Sequence, residues 1–478
     1  MFRFLSIVLA VALAGAANSS GADKPLSKEP PKPVAVKPFD LGAPDVVLLV
    51  SGGDGGMLEV CDCPGKMPGG LSRRSGLAIS YRAAFPNVVM LDQGNGFVRG
   101  GDSLINDYHM HGLRKIGYDA VVLGEYEWGA PGTRLQTILT EGPLTYLATT
   151  VQEKAPAPGK KPLLVAPVVE RTFGAAKLAI VSDLRAEWKP MISQARLGEL
   201  AFDKDALAAQ VERLHKEGRF VLVVCHGDKA ALQQTVASCP GADLFLRGLR
   251  SEPLKTLDTI DGRPLLTLWG HEHVGALAMK FSPEGKLDKL EYRRETVGPE
   301  WPIDERLLQT YRDYCKVAMF ALLAEKPKPG PMYFASLQCG TCHKSQYANW
   351  QTTKHSAAYK TLVREKRTDD PACLSCHTTG LGTIKGFITP EKTPMLAGVN
   401  CQDCHAMDAG AHLKKPKAYP KPVTEATCRV CHTEVTDPKF DFATRAKEYH
   451  CPKGKPPLPG VASRPATAPA TEPAEAKP

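Results

Sequence analysis

Between Asp45 and about Val297 the chain alternates short apolar runs with longer stretches in which apolar residues recur at helical spacing. The runs Val46–Val50, Val88–Leu91, Ala120–Leu123, Leu178–Val181, Phe220–Val224 and Leu265–Trp269 are apolar at nearly every position, as strands buried on both faces require. Gly70–Phe85, Leu104–Ile116, Asp205–Glu217 and Lys229–Ser238 carry the 3.6-residue period of helices packed by one face. This alternation predicts a layered α/β domain over residues 45–300. Trp301–Glu325 predicts a helical connector, residues 301–330, closed by the Pro-rich Pro327–Pro331. Residues 331–451 form a further region, mostly helical or irregular.

The ends read differently. Met1-Phe2-Arg3 is a short positive start, Phe4–Ala14 an apolar run, and Gly15–Asn18 offers small residues for cleavage, so residues 1–20 are expected to be a secretory signal. The run is far shorter than the roughly 20 residues of a membrane span, and no later segment is long and apolar enough to serve. Residues 21–44, rich in Pro and Lys, read as a linker, and residues 452–478, mostly Pro, Ala, Lys and Glu, as a disordered tail.

Chemistry is concentrated in the C-terminal region. The pentapeptide Cys-x-x-Cys-His occurs at Cys339–Cys342–His343, Cys373–Cys376–His377, Cys401–Cys404–His405 and Cys428–Cys431–His432. Two thiols about one helical turn apart can add to the two vinyl groups of a haem, and the following imidazole can bind its iron. Zinc ribbons also use paired Cys-x-x-Cys units, but zinc gives no reason for a His after every pair. The pattern predicts four covalent c-type haems, placed outside the cytoplasm where such haems are attached, hence a periplasmic protein with periplasmic redox partners. Roughly 30 residues per haem are too few for an independent apolar core, so the haems must supply it. Three further histidines lie here, His355, His412 and His450, one short of a distal ligand for every iron. The fourth iron takes a ligand from elsewhere, a Met such as Met332, Met395 or Met407, or stays five-coordinate.

Net charge changes the picture little. The formal +9 would fall to about +1 once eight haem propionates are counted, and no Lys/Arg block is interleaved with aromatics, so nucleic-acid binding is not expected.

The segment Cys339-Gly-Thr-Cys-His343 with Tyr347, Trp350 and His355-Ser-Ala-Ala, then Cys373-Leu-Ser-Cys-His377-Thr-Thr-Gly380 and Gly398-Val-Asn-Cys401-Gln-Asp-Cys-His405, resembles the cytochrome c554 family of tetrahaem periplasmic electron carriers. His412 and the closing Cys428–His432 site followed by Phe440 also fit. The resemblance implies that His355, His412 and His450 are distal ligands and that one haem is high-spin.

The α/β part is similar to the metallophosphoesterase domain of periplasmic 5′-nucleotidases, through Leu58-Glu59, Gly69–Arg74, Val89–Asn95, Gly117–Gly124, Cys225-His226-Gly227 and Gly270-His271-Glu-His273. In such enzymes two metal ions clamp a phosphate and activate a water. The family's first Asp-x-His falls on Gly53-Asp54-Gly55, its bridging Asp on Asn95, and its Gly-Asn-His-Glu on Gly124-Glu125-Tyr126-Glu127. What survives is His226, His271 and His273, which with Asp92, Asn95 or Glu125 can hold one divalent metal; two-metal hydrolysis is not expected. The Gly-rich Ser51–Gly56 run matches no phosphate-loop pattern and reads as a tight turn. Cys61-Asp-Cys63 resembles the Cys-x-Cys of nucleotidase-like selenoprotein relatives, which implies a redox-active or metal-binding pair; the alternative is a structural disulfide, with Cys225 or Cys239 as partner. Cys225 itself reads as core. His109 and His111, two apart on a helix, do not share a face and are not expected to be a metal pair, and His215 reads as solvated. The leading expectation is an electron carrier with a degenerate nucleotidase-like accessory domain. The alternatives are a redox enzyme acting at an open haem or at Cys61/Cys63, and a phosphoesterase tethered to haems.

Overall fold

The computed structural model describes residues 26–60, 67–98, 104–130, 132–140, 142–156, 159, 161–185, 188, 198–248, 255–415, 423–433, 436–437 and 439–448. Cys61, Cys63, His450 and Cys451 lie outside the described residues, as do the proposed signal and tail.

In chain order the strands are β1 (Val46–Ser51), β2 (Val88–Asp92), β3 (Ala120–Val122), β4 (Tyr146–Leu147), β5 (Val151–Pro156), β6 (Val165–Ala166), β7 (Val169–Phe173), β8 (Ala176–Leu184), β9 (Gly198–Phe202), β10 (Phe220–His226), β11 (Leu244–Arg247), β12 (Asp258–Ile260), β13 (Arg263–Thr267), β14 (His273–Phe281) and β15 (Leu287–Thr296). They form a seven-stranded sheet ordered β15-β14-β1-β2-β3-β4-β6, a six-stranded sheet ordered β12-β13-β11-β10-β8-β7, and the small pair β5-β9. The centre of each large sheet is parallel, and antiparallel β14–β15, β12 and β7 lie toward the edges.

Side-chain alternation builds four layers. Val46, Leu48 and Val50 of β1 pack with Val89 and Leu91 against Ile180, Leu222, Val224, Leu246 and Leu266 of the second sheet. The intervening Val47 and Leu49 face Leu71, Leu77 and Tyr81 of the Leu71–Ala84 helix and Leu113 of the Leu104–Ile116 helix. Val221, Val223 and Cys225 of β10 face Leu207, Val211, Leu232 and Val236 of the helices on the opposite side. Continuous apolar runs are what strands sandwiched in this way need.

The Glu305–Ala324 helix ties the α/β domain to the C-terminal region. Its N-cap Asp304 is fully buried, accepting from Arg306 N at 3.0 Å and from Ser75 Oγ at 2.6 Å. Along the helix, Lys115 Nζ donates to Thr310 Oγ1 at 2.7 Å and Tyr108 packs edge-on to Tyr314. Beyond the helix the chain forms short helices with a small apolar cluster of Tyr359, Leu362, Leu374, Phe387 and Leu396. None of the described helices is long and apolar enough to cross a membrane.

Candidate functional site

Each Cys-x-x-Cys-His motif folds as one helical turn. His343 N donates to Cys339 O and His432 N to Cys428 O, both at 2.9 Å. The second and third motifs lie within the Pro371–His377 and Cys401–His405 helices. Asp370 caps the former, accepting from Ala372 N at 3.0 Å, with Pro371 at the first helical position. The turn brings the first thiol and the imidazole of each motif to one side, as attachment and ligation of one haem require.

Two motif imidazoles lie beside a second imidazole. The ring centres of His343 and His412 are 6.0 Å apart with planes at 27°, and those of His355 and His432 are 6.1 Å apart at 67°. Two imidazoles bound on opposite sides of one iron, each with a metal–nitrogen bond of about 2 Å, place their ring centres about 6.2 Å apart. The spacing therefore suits an iron between each pair. Burial, then the neighbouring His432 and His377, lowers the pKa of His355, which favours the neutral form that ligates metal. The second nitrogen is committed in two of the proximal rings: His377 Nδ1 lies 2.8 Å from Ala358 O, and His432 Nδ1 lies 2.9 Å from Asp437 Oδ2. Both partners are acceptors, so each Nδ1 donates and Nε2 is left for the iron. The motifs also lie close to one another, with Cys339 near Cys401 and Cys376 near Cys431.

The α/β domain collects its polar residues at the C-terminal ends of the parallel strands, where open sheets place their sites. Gly53 sits at φ 72° and a Cβ there would lie 2.5 Å from the Trp269 ring, so the Gly-rich run is a turn under close approach. The same turn carries Asp54, whose carboxylate receives both terminal nitrogens of Arg74 at 2.7 Å and faces His109 Nε2 at 2.8 Å. All three side chains are sealed from solvent. Burial alone would raise the Asp54 pKa, but Arg74 and His109 override it and hold the carboxyl well below the usual range. The chain thus supplies its own cation beside Asp54.

Of the residues expected to hold a divalent metal, His226, Glu125 and Asn95 touch one another, His226 Nδ1 lying 3.4 Å from Asn95 Nδ2. His226 is spent on both nitrogens, Nε2 against Gln93 O at 2.7 Å and Nδ1 against Glu125 Oε2 at 3.1 Å. Burial opposes its charge, but Glu125 outweighs it, and the His226 pKa is raised while that of Glu125 is lowered. Asn95, at φ 57°, uses Nδ2 on Gly248 O at 3.2 Å and Oδ1 on Tyr126 N at 3.1 Å. Asp92 accepts from Ser51 Oγ and Gly94 N, each at 2.9 Å. His271 packs against Gly69, and His273 opens β14. No group of three or more His, Cys, Asp or Glu among the described residues is arranged to hold a metal ion. As placed, His226, Asn95 and Asp92 are held by partners within the protein.

The other expectations fall out simply. His109 is buried and His111 exposed, so they do not share a face, and His215 is exposed. Cys225 is core. Cys225 and Cys239 are buried free thiols, and Cys315 is buried beside Tyr311. Pattern reading did not foresee the contacts of Arg74 and His109 with Asp54, or that of Asp437 with His432. It also missed Arg367, whose Nη2 donates to Val60 O at 2.6 Å while Nη1 lies 3.3 Å from Asp370 Oδ2 and the guanidinium covers the Tyr311 ring at 4.7 Å. Asp370 in turn accepts from Cys373 Sγ at 3.0 Å. This joint connects the residue before Cys61 to the second Cys-x-x-Cys-His motif. A sequence signal for Arg74 existed: it sits on the same helical stripe as Leu71 and Ala78, where a charge needs a buried partner.

Residues 338–406 match the cytochrome c554 and c-prime family. Cytochrome c-554 of Nitrosomonas europaea is 28% identical over 131 residues, covering 24% of this chain and 51% of the relative. The chain therefore spans about half the length of the curated relative it matches. Among solved structures, the sulfate thiohydrolase SoxB of Thermus thermophilus has a TM-score of 0.50 at 16% identity, covering 62% of this chain and 63% of that one. A 5′-nucleotidase precursor of Thermus thermophilus has a TM-score of 0.48 at 19% identity, covering 60% and 61%. The α/β domain thus shares its fold with that thiohydrolase, and the chain joins it to a region similar to the cytochrome c554 and c-prime family.

Proposed function

We propose that this protein is a periplasmic electron carrier holding four c-type haems, with the α/β domain as an accessory that has lost phosphoester hydrolysis. The haems attach at Cys339/Cys342, Cys373/Cys376, Cys401/Cys404 and Cys428/Cys431, with His343, His377, His405 and His432 as proximal ligands. The observation that carries the reading is the two imidazole pairs, His343 with His412 and His355 with His432, at a ring separation that suits one iron each. His450 is the distal ligand of one of the two remaining irons, and the other is five-coordinate. In this reading the first haem lies beside the third and the second beside the fourth, which the closeness of Cys339 to Cys401 and of Cys376 to Cys431 supports, and electrons have short steps within each pair.

The test is low-temperature paramagnetic resonance of the ferric protein. His412→Ala should convert one low-spin haem to high-spin while leaving the haem count unchanged. An unaltered low-spin spectrum would overturn the assignment.

A second reading is favoured by the Arg367 joint. The chain enters Cys61-Asp-Cys63 from Val60, whose carbonyl Arg367 holds beside the second haem motif. A redox enzyme exchanging electrons between that cysteine pair, or a substrate there, and the second haem would use this connection. Cys61→Ser with Cys63→Ser would then abolish reduction of the haems by a dithiol while leaving reduction by dithionite intact.

A further inference from the structure

The proximal imidazoles of two adjoining motifs differ in what holds their second nitrogen. His377 Nδ1 donates to the Ala358 carbonyl, a neutral acceptor, at 2.8 Å. His432 Nδ1 donates to the Asp437 carboxylate at 2.9 Å. A carboxylate draws the ring proton toward itself, makes the imidazole a stronger donor to iron, and so favours the ferric over the ferrous state; a carbonyl does this less.

The Asp437 contact is built into the local fold. Asp437 N donates to Thr433 O at 2.8 Å and Phe440 N donates to Asp437 O at 3.0 Å, closing the loop around the carboxylate. Phe440 stacks on the His432 ring at 4.7 Å, and the Arg429 guanidinium covers Phe440 at 4.9 Å. The ring and the carboxylate are only 34% and 24% exposed, so water competes for this bond only in part. The two motifs are neighbours, since the His355 ring lies 6.1 Å from the His432 ring and also beside His377, and Asp370 and Arg367 link the Cys373 side to the α/β domain.

We infer that Asp437 is a positioning residue that lowers the potential of the haem at Cys428–His432, so that electrons pass from it to the haem at Cys373–His377 and thus toward the α/β domain. The inference rests on the tetrahaem reading. In the step one ferrous iron becomes ferric and its neighbour's ferric iron becomes ferrous; a single electron moves and no bond is made or broken.

The experiment is a spectroelectrochemical titration of holo-protein carrying Asp437→Asn, Asp437→Ser or Asp437→Glu, with the haem count taken from the pyridine haemochromogen. A neutral residue should shift one couple upward by about tenfold in its oxidation equilibrium, or about 60 mV for one electron, and leave the other couples in place. The Glu variant should restore the original value. Four haems with unmoved couples in the neutral variants would overturn the inference. So would loss of the fourth haem in both neutral variants with its retention in the Glu variant, because Asp437 would then be an assembly contact. Fewer than four haems in the unaltered protein would instead overturn the tetrahaem reading itself.

Discussion

Replacing Arg74 by Met should cost the α/β domain more than any surface charge change. The guanidinium makes two 2.7 Å bonds to Asp54 with both side chains fully enclosed, and Asp92 lies close enough to add to the field. Without Arg74 a buried carboxylate keeps only the bond to His109 at 2.8 Å. Removing one partner of a buried ion pair costs about 3–5 kcal/mol, and the remaining imidazole places the expected loss at the low end, about 3 kcal/mol. For a domain of this size that lowers the melting temperature by about 6–12 °C. The assay is scanning calorimetry of the holo-protein, following the transition that leaves the haem absorbance unchanged. The double variant Arg74→Met with Asp54→Leu removes both charges and should recover at least half of the loss. A single variant within about 1 kcal/mol of wild type, or a double variant no better than the single, would refute the idea that this internal cation holds the cleft together.

Other perturbations should act in defined directions. The Asp54 carboxyl titrates far lower folded than unfolded, so its contribution is present above the unfolded value of about 3.9 and fades as pH falls below it; the stability gap between wild type and Arg74→Met should narrow as pH falls from about 5 to about 2 in calorimetric scans. His226 titrates higher folded than unfolded, so its contribution is complete below about 6.5 and is lost as pH rises through the folded value; His226→Gln should flatten the alkaline side of the stability curve. A haem-free C-terminal region should lack cooperative unfolding by circular dichroism, because Tyr359, Leu362, Leu374, Phe387 and Leu396 are too small a core, and a sharp transition without haem would contradict this. The near-parallel His343/His412 planes and the more crossed His355/His432 planes should split the iron d orbitals differently, giving two distinguishable low-spin signals, the second lost in His355→Ala.

What the sequence made legible follows from how local each feature is. β1, β2, β3, β8 and β10 were visible because a strand covered on both faces is apolar throughout. The β14–β15 hairpin was not, since β15 reads Leu-Asp-Lys-Leu-Glu-Tyr-Arg-Arg-Glu-Thr, the charged alternation of an edge strand. The Cys-x-x-Cys-His motifs were plain because thiols and imidazole sit within one turn. The Asp54–Arg74–His109 centre was hidden because its members come from a turn and two separate helices, and only the fold sets them together. The same limit hid the partners of His226, whose nitrogens lie against Gln93 and Glu125 from other parts of the chain.

The most direct test of the central claim is the intact mass of the purified holo-protein under denaturing conditions, read together with its pyridine haemochromogen. A chain heavier by four covalently attached haems, with four haems by absorbance, is the expected result; a chain carrying none, or haem that washes away on denaturation, would contradict it.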